Sequence, residues 1–286
     1  MAISYNKLWK LLIDLNMKKK DLQELSGVSS ASITKLGRNE NVNTDILLKI
    51  CKALKVDISD IMEIVDTENK QWRRFIMALE NKLGITDSAE LAREEERISK
   101  KKAIELYDKG LLDNLEAGKF SALAFIHKHL FDEIYDFAGV VRDVNIAKGG
   151  FRFAPVMYLD SALEHVSNMP QSTFDEIIEK YVEMNICHPF REGNGRSTRI
   201  WLDLILKKEL GMVIDWSMVD KEDYLMAMER SPVKDIEIKH ILKNALTDKI
   251  NDRDVYMKGI DNSYHYEGYT AFKTEELWER NLYYGW

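Results

Sequence analysis

The sequence predicts an all-α, mostly helical fold arranged in two domains. Apolar residues recur at helical spacing along most of the 286-residue chain, four residues are Pro, and 45% are hydrophobic. The expected order is an N-terminal domain at 1–65, a helical linker at 66–100, a larger domain at 101–258, and a C-terminal helix with a tail at 259–286.

The N-terminal domain opens with a pattern typical of a helix-turn-helix. Residues 17–26 and 29–37 carry apolar side chains at helical spacing, and Gly27 between them relieves the turn. Further apolar residues follow in short groups as far as Met62. The arrangement resembles the five-helix repressor domain of the Cro/Xre type.

That resemblance implies a helix that reads DNA. Residues 29–35 would face the major groove, with Ser30, Ser32 and Lys35 as the outward side chains. Charge gives partial support, because residues 1–66 contain ten Lys and Arg against nine Asp and Glu in a chain at −7 overall. A nearly neutral domain binds duplex DNA weakly unless it is dimeric. Dimerisation or docking of a partner therefore stays open beside DNA binding.

The segment at 66–100 is highly charged, yet it also carries an apolar stripe. The apolar residues at helical spacing are Trp72, Phe75, Ile76, Leu79 and Leu83. This pattern predicts a bridging helix and disfavours a flexible linker.

The most informative stretch is His-Pro-Phe-Arg-Glu-Gly-Asn-Gly-Arg at residues 188–196. Amphipathic helices are predicted on both sides, because apolar residues repeat at helical spacing over 174–182 and again over 200–205. The run is therefore a tight connector that ends at a helix N-terminus. Unpaired backbone N–H groups and the helix dipole favour an anion at such a place.

The polar residues of this run each have a chemical interpretation. Gly193 and Gly195 allow the close backbone approach that a phosphate needs. Arg196 can hold phosphate oxygens in a bidentate fork, and Glu192 is the kind of oxygen ligand that holds a nucleotide-borne Mg²⁺. His188 titrates near neutral pH and is the one residue of the run able to take a proton from an attacking hydroxyl.

The run matches all fixed positions of the Fic domain signature, His-Pro-Phe-X-(Asp/Glu)-Gly-Asn-Gly-Arg, and the chain resembles that family over roughly residues 100–268. Upstream, residues 126–139 and 148–153 look like the family's helix and β-hairpin flap. Downstream, residues 196–201 continue the match. The resemblance implies the Fic fold with a small β-hairpin flap, which would hold a target segment by strand addition.

The same resemblance implies transfer of AMP from ATP to a Tyr, Thr or Ser hydroxyl of a target protein. His188 would be the general base, Glu192 would hold Mg²⁺ between the phosphates, and Arg196 would hold the γ-phosphate. The reaction is an in-line displacement at phosphorus, where positioning and charge neutralisation matter most. The other expected parts are an anion cradle of Gly193, Asn194 and Gly195, a buried anchor at Phe190, and further nucleotide contacts from Lys148 and Arg199.

A second motif, Ser-Tyr-His-Tyr-Glu-Gly, lies at residues 263–268 and resembles the inhibitory motif of Fic proteins, Ser/Thr-X-X-X-Glu-(Gly/Asn). Its four-residue spacing places Ser263 and Glu267 on one helix face. The resemblance implies that Glu267 pairs with Arg199 and crowds out the γ-phosphate, so that the enzyme inhibits itself. The inhibitory residues would be Ser263, Glu267 and Gly268, and two neighbours, Tyr264 and Tyr266, are either self-modification targets or buried packing residues.

Other functions stay open at this point. A kinase-like branch of the family has Lys where this chain has Gly195, and phosphocholine transfer is a variant that the motif also accommodates. A nucleophilic pair of Cys187 and His188 is disfavoured, because adjacent residues on a helix point about 100° apart. The alternative from another class is a DNA-binding transcriptional regulator whose Fic domain senses a nucleotide or serves as an interaction module.

Composition restricts the compartment and the partners. The two Cys form no disulfide framework, no apolar run approaches the ~20 residues of a membrane span, and the start lacks a signal-peptide pattern. We therefore expect a cytoplasmic bacterial regulator or toxin-like enzyme with no membrane partner. Its expected partners are a target protein, for which a topoisomerase subunit is a family expectation, DNA, and a second copy of the chain in a homo-oligomer.

Overall fold

The computed structural model describes residues 2–15, 17–65, 78–148 and 151–277, and the chain divides into two compact units between Met77 and Ala78. Helices dominate both units, and the strands form short antiparallel pairs. The predicted mostly helical fold is confirmed. Within the described ranges, no helix is both long enough and apolar enough to cross a lipid bilayer.

The first unit is a small helical domain closed by one pair of strands. Its helices α2 and α3 are joined at Gly27, whose φ of +68° is the left-handed turn that the sequence predicted, and the Ser29 hydroxyl caps α3 by accepting from the Ser32 N–H. The predicted helix-turn-helix is confirmed. The elements are α1 (Asn6–Asp14), α2 (Lys19–Ser26), α3 (Ser30–Gly37), α4 (Thr44–Leu54) and α5 (Ile58–Ile61), with β1 (Ala2–Ser4) antiparallel to β2 (Glu63–Val65).

The second unit is larger and consists of helices with two short pairs of antiparallel strands among its described residues. Its helices are α6 (Ser88–Asp108), α7 (Phe120–Phe131), α8 (Val156–Asn168), α9 (Phe174–Cys187), α10 (Asn194–Leu210), α11 (Lys221–Arg230), α12 (Ile236–Asn244) and α13 (Arg253–Tyr266). Its antiparallel strands are β3 (Ala147–Lys148) with β4 (Phe151–Arg152), the predicted hairpin, and β5 (Val213–Ile214) with β6 (Leu246–Thr247).

Helix α10 is buried along most of its length, which is how it positions the site. Eleven of its residues are buried, including the polar side chains of its first two turns. It packs against α7, α9 and α13, and Trp201 at its middle is fully buried. A helix enclosed in this way presents its N-terminal turn at a fixed place between its neighbours.

The predicted bridging helix over 66–100 is wrong in part. Leu79 and Leu83 lie in a non-helical segment, because the Asn81 side chain bonds the backbone of Leu79 and Ile85 and so stabilises a turn. The helix begins after Asp87, whose carboxylate accepts from the Glu90 N–H. It then runs through the predicted boundary at 100, so residues 88–108 are one element of the second unit. The stripe residues Trp72, Phe75 and Ile76 lie outside the described residues.

The C-terminal helix also differs from its predicted bounds. Helix α13 starts at Arg253, six residues before the predicted 259, because Asp252 caps it. It ends at Tyr266, so Glu267 is the residue that follows the helix, and Gly268 turns the chain with φ +93°. The tail after residue 277 lies outside the described residues.

Candidate active site

The loop between α9 and α10 is closed by its own polar groups. Asn194, the first residue of α10, accepts from the Phe190 N–H at 2.9 Å and donates to the Phe190 carbonyl at 2.7 Å. Phe190 itself is fully buried, as an anchor would be. The Asn194 side chain thus shapes the loop from within, and any contribution to an anion cradle comes from its backbone.

Gly193 is required at its position by conformation and by space. Its φ is +76°, and a Cβ there would come within 2.4 Å of the Phe131 ring on α7. The loop therefore lies directly against α7. The loop leads into the N-terminus of α10, where the first backbone N–H groups have no partner within the helix.

His127 of α7 holds the other side of the loop. Its Nδ1 accepts from the Gly139 N–H at 2.9 Å, and its Nε2 lies 2.8 Å from the Glu192 carbonyl oxygen, so the neutral ring with Nε2–H satisfies both contacts. Burial lowers the pKa of His127 to about 3, and the ring stacks on Phe190 at 3.7 Å. His127 is therefore a neutral structural residue that fixes the loop to α7 through the Glu192 carbonyl.

His188 ends α9 in the left-handed conformation, with φ +46°. Its ring stacks on Phe153, just after β4, with centroids 3.7 Å apart, and its Nδ1 lies 3.3 Å from the Asn185 carbonyl oxygen. When Nδ1–H donates to that carbonyl, Nε2 is the basic nitrogen. The flap and α9 together therefore orient the imidazole.

Arg142 stabilises this strained end of α9. The buried guanidinium donates to the carbonyls of Cys187 at 3.1 Å and His188 at 2.8 Å, and also to those of Val144 and Ala154. Carbonyls at a helix C-terminus lack intrahelical partners, so a cation with several donors satisfies them. One side chain thus ties the catalytic candidate to the flap.

Arg196 is fully buried and lies among three carboxylates. Its Nη1 donates to Glu95 Oε1 at 2.5 Å, its Nη2 donates to Glu192 Oε1 at 3.0 Å, and its Nε lies 3.0 Å from Glu267 Oε2. Three aromatic rings face its guanidinium carbon at 4.7 to 5.3 Å, those of Phe131, Tyr264 and Tyr269.

Arg199, one turn later, is bound by the end of α13. Its Nε donates to the Ser263 hydroxyl at 2.6 Å, and its Nη2 donates to the Ser263 carbonyl at 2.8 Å and to Glu267 Oε1 at 2.7 Å. Glu267 therefore spans both arginines. Its carboxylate lies so close to Gly195 that a Cβ on that glycine would be 2.3 Å from Oε1. An anionic group occupies the first turn of α10, where the sequence predicted one.

Glu192 lies at the edge of the same group. Its side chain is 39% exposed, and it also accepts from the Gly193 N–H at 3.0 Å. Desolvation raises the pKa of Glu192, and the nearby carboxylates of Glu95 and Glu267 act in the same direction against the lowering by Arg196. A carboxylate that is crowded by other anions gains from the arrival of a cation.

Four other candidate residues from the sequence also lie in this unit, namely Tyr264, Tyr266, Cys187 and Lys148. Tyr264 and Tyr266 are 1% and 4% exposed, with the Tyr266 hydroxyl donating to the carbonyls of Trp216 and Val219, so both lie inside the fold when α13 is docked. Cys187 is buried, and desolvation raises the pKa of its thiol to about 12, which removes it as a nucleophile at neutral pH. Lys148 lies in β3, and its side chain is outside the described part of the structure.

On α3 of the first unit, Ser30, Thr34 and Lys35 are exposed, and so is Arg38, which directly follows the helix. Ser32 is only partly exposed, and its hydroxyl lies 2.9 Å from that of Ser29 at the helix cap. The exposed surface of α3 and its C-terminal end therefore includes two polar residues, Thr34 and Arg38, that sequence reasoning did not single out.

Sequence reasoning also missed Glu95, Arg142 and Tyr269. Glu95 stands in a run of three glutamates, which is typical of a solvated helix face, yet it is 2% exposed. Arg142 has no neighbour in the sequence that distinguishes it from other arginines, and Tyr269 follows the inhibitory motif without belonging to it. The closest signal was the resemblance of residues 126–139, which ends three residues before Arg142.

Two family models match the chain. Residues 7–67 match the Cro/C1-type HTH DNA-binding domain, and residues 119–206 match the Fic/DOC family. The chain thus contains a Cro/C1-type helix-turn-helix domain followed by a Fic/DOC domain, and each match falls within one structural unit.

Relatives of the chain include proteins named as adenylyltransferases. Protein adenylyltransferase VbhT of Bartonella schoenbuchensis is 33% identical over 162 residues, which cover 51% of this chain and 32% of that protein. Probable protein adenylyltransferase y4lH of Sinorhizobium fredii is 28% identical over 165 residues, covering 54% and 82%. The chain thus spans about a third of the length of the first relative.

The fold of the second unit is also found in a solved structure. The crystal structure of the BepC protein of Bartonella tribocorum, with bound AMPPNP, has a TM-score of 0.51 at 20% identity and covers 59% of this chain and 92% of that one. This likeness concerns the fold alone.

Proposed function

We propose that the chain is a protein adenylyltransferase that its own Glu267 keeps inactive. The observation that carries the proposal is the Glu267 carboxylate, which spans Arg196 and Arg199 in the first turn of α10. Relatives that match slightly more than half of this chain are named protein adenylyltransferase or probable protein adenylyltransferase, which supports the reaction class.

The first turn of α10 provides what a triphosphate needs. It combines a helix N-terminus, the glycines at 193 and 195, and two buried guanidinium groups three residues apart. With Glu267 in place, the two guanidinium groups already bind carboxylates. ATP would therefore have to replace Glu267 in order to bind with its γ-phosphate on Arg196.

The transfer itself would be an in-line displacement at the α-phosphorus. His188 would accept the proton of the target hydroxyl, whose oxygen then forms a bond to the α-phosphorus while the bond to the bridging oxygen of the β-phosphate breaks. Pyrophosphate would leave with the electron pair of the broken bond. The stack on Phe153 and the contacts of Arg142 hold the imidazole in place for this step.

Glu192 fits the role of holding Mg²⁺. It is a partly exposed carboxylate in an anionic cluster, and Mg²⁺ in nucleotide sites is commonly held by one or two carboxylates plus phosphate oxygens. The ion would neutralise charge on the phosphates. For Glu192 to hold it, its contact with Arg196 at 3.0 Å would have to lengthen.

Incubation with ATP labelled at the α-phosphate tests the proposed adenylyltransferase activity directly. We expect little label on the wild-type protein, strong self-labelling or labelling of lysate proteins by Glu267→Gly, and none by Glu267→Gly that also carries His188→Ala. The second change removes the base and leaves the phosphate site intact.

Two results would count against the proposal. Absence of label with Glu267→Gly would reject the transferase, and equal labelling by the wild type would reject inhibition by Glu267. Label that survives the His188→Ala change would reject His188 as the base.

We also infer that the first unit binds DNA. The match to a Cro/C1-type domain and the exposed polar residues of α3 support this function. A duplex from the region upstream of the gene should bind the full chain at low salt and clearly less at high salt. Binding that is absent, or independent of salt, would favour dimerisation or partner docking for this unit.

A further inference from the structure

We propose that Glu95 on α6 is a positioning residue that aims Arg196 at the nucleotide, a role that rests on the proposed function. Glu95 lies about a hundred positions before Arg196 in the sequence, yet its Oε1 accepts from Arg196 Nη1 at 2.5 Å. Both side chains are almost completely buried, at 2% and 0% exposure.

Glu95 differs from the other two carboxylates because it is itself fixed. Its Oε1 also accepts from the Tyr269 hydroxyl at 2.8 Å, and its Oε2 accepts from the hydroxyl of Tyr135. A carboxylate held by three donors on a buried helix has no route to a ligand. Glu192 is partly exposed and Glu267 follows a helix end, so these two can move away from Arg196 while Glu95 stays.

Opening the site would leave Arg196 with Glu95 as its remaining carboxylate partner. A buried guanidinium without any partner is costly and takes whatever orientation restores a contact. Glu95 binds Nη1, so the Nε and Nη2 edge that now contacts Glu267 and Glu192 would face the incoming phosphate. Nη1 of Arg196 thus stays bound to Glu95, while Nε and Nη2 are available to donate to the phosphate.

A purely electrostatic effect of Glu95 and a positioning role predict opposite changes in ATP affinity when Glu95 is replaced. Removal of a negative charge beside a phosphate site strengthens the binding of an anion when charge alone matters. Removal of an anchor weakens the binding, because Arg196 must then be ordered by the ligand. The sign of the change in ATP affinity therefore distinguishes the positioning role from a purely electrostatic effect.

The test uses the full chain with His188→Ala and Glu267→Gly, so that ATP binds without turnover. The Kd of ATP with Mg²⁺ is measured by calorimetry. We expect Glu95→Ala to weaken binding about tenfold, and Glu95→Gln, which keeps an acceptor for Nη1, to weaken it less. When Arg196→Ala is also present, the proteins with and without Glu95→Ala should have the same Kd for ATP, because Glu95 acts through that arginine.

Glu94→Ala is the matched control. Glu94 is the residue before Glu95 on α6, and its carboxylate accepts from the Arg97 side chain of the same helix at 2.7 and 2.9 Å. Its Kd for ATP should equal that of the parent, with thermal unfolding recorded for each variant. Unchanged or tighter ATP binding in both Glu95 variants would overturn the positioning role, and the isosteric Gln variant keeps this test valid if Ala fails to fold. A parent that binds no ATP would overturn the proposed function and this role with it.

Discussion

At the scale of single residues, the proposed function depends on competition between carboxylates and phosphate for two guanidinium groups. Arg196 and Arg199 carry two positive charges, and the carboxylates of Glu95, Glu192 and Glu267 surround them with three negative ones. In the proposed mechanism, this excess of negative charge excludes a further anion until one carboxylate leaves. Glu267 is the carboxylate that contacts both arginines, so its departure frees the most donors.

Arg142 provides a residue-scale test of how His188 is held. Arg142→Lys keeps the charge, but an ammonium group cannot bond carbonyls in a planar fork as the guanidinium does. In the Glu267→Gly background we expect kcat for AMP transfer to fall about tenfold with little change in KM for ATP. The free energy of unfolding should fall by about 1–3 kcal/mol in a denaturant titration. A rise in KM with kcat unchanged would contradict a role in orienting the base.

His127 provides a prediction about pH. Its pKa falls from 6.5 to about 3 on burial, so the unfolded chain binds the proton more readily than the folded one. The stability that the neutral ring contributes is therefore complete above pH 6.5 and is lost as the pH falls toward about 3. NMR titration of the histidine ring signals should show His127 still neutral at pH 5, and protonation above that pH would contradict a buried, neutral His127.

The sequence alone was enough to propose a chemistry for the motif, but it did not reveal the residues that support the motif. The residues from His188 to Arg196 are contiguous, so their types and order could be read directly. Glu95 and Arg142 reach the site from other elements, and a contact between distant positions leaves no periodic pattern. Their burial also runs against the usual place of charged residues, which depends on partners that only the fold supplies.

At the scale of elements, periodicity predicted helices well where one face is apolar. The helices on both sides of the motif and the two of the helix-turn-helix appear as expected. The prediction failed at Leu79 and Leu83, where a local turn around Asn81 overrides an apolar spacing. It also could not show that α6 turns a polar face inward, because Glu95, Glu96, Ser99 and Lys100 resemble a solvated surface in sequence.

That inward face of α6 holds the segment after Glu267. Lys100 Nζ lies 3.0 Å from Glu96 and from Asp261 and donates to the Phe272 carbonyl at 2.6 Å. The Asp261 carboxylate in turn accepts from the backbone and hydroxyl of Thr274. These contacts form a largely buried clamp of Glu96, Lys100, Asp261 and Thr274 that keeps the end of α13 in place.

Breaking the clamp should therefore relieve inhibition. Lys100→Met leaves the buried carboxylate of Glu96 and the partly buried one of Asp261 without their cation, and loss of one partner of a buried pair costs about 3–5 kcal/mol. We expect the variant, with Glu267 intact, to incorporate several times more α-label than the wild type. Lys101→Met on the same helix is the control and should stay inactive. If both lysine variants stay inactive while Glu267→Gly labels, the clamp has no part in the control.

At the scale of the whole molecule, the two proposed functions fall in different units, so we expect that each can be changed separately. Lys35→Ala on α3 should weaken binding to the upstream duplex and lower the salt slope by about 1, since one phosphate or base contact is lost. Lys52→Ala on α4, also exposed, is the control and should bind as the wild type does. Neither change should alter AMP transfer in the Glu267→Gly background. Loss of transfer with Lys35→Ala would show that the units are coupled.

The most direct measurement of the central claim is the initial rate of label transfer for Glu267→Gln. This change keeps the size of the side chain and removes the charge that binds Arg196 and Arg199. We predict that the wild type stays nearly inactive, and that Glu267→Gln transfers label from α-labelled ATP and none from γ-labelled ATP. Equal rates for the two proteins, or transfer of the γ-label, would contradict a self-inhibited adenylyltransferase.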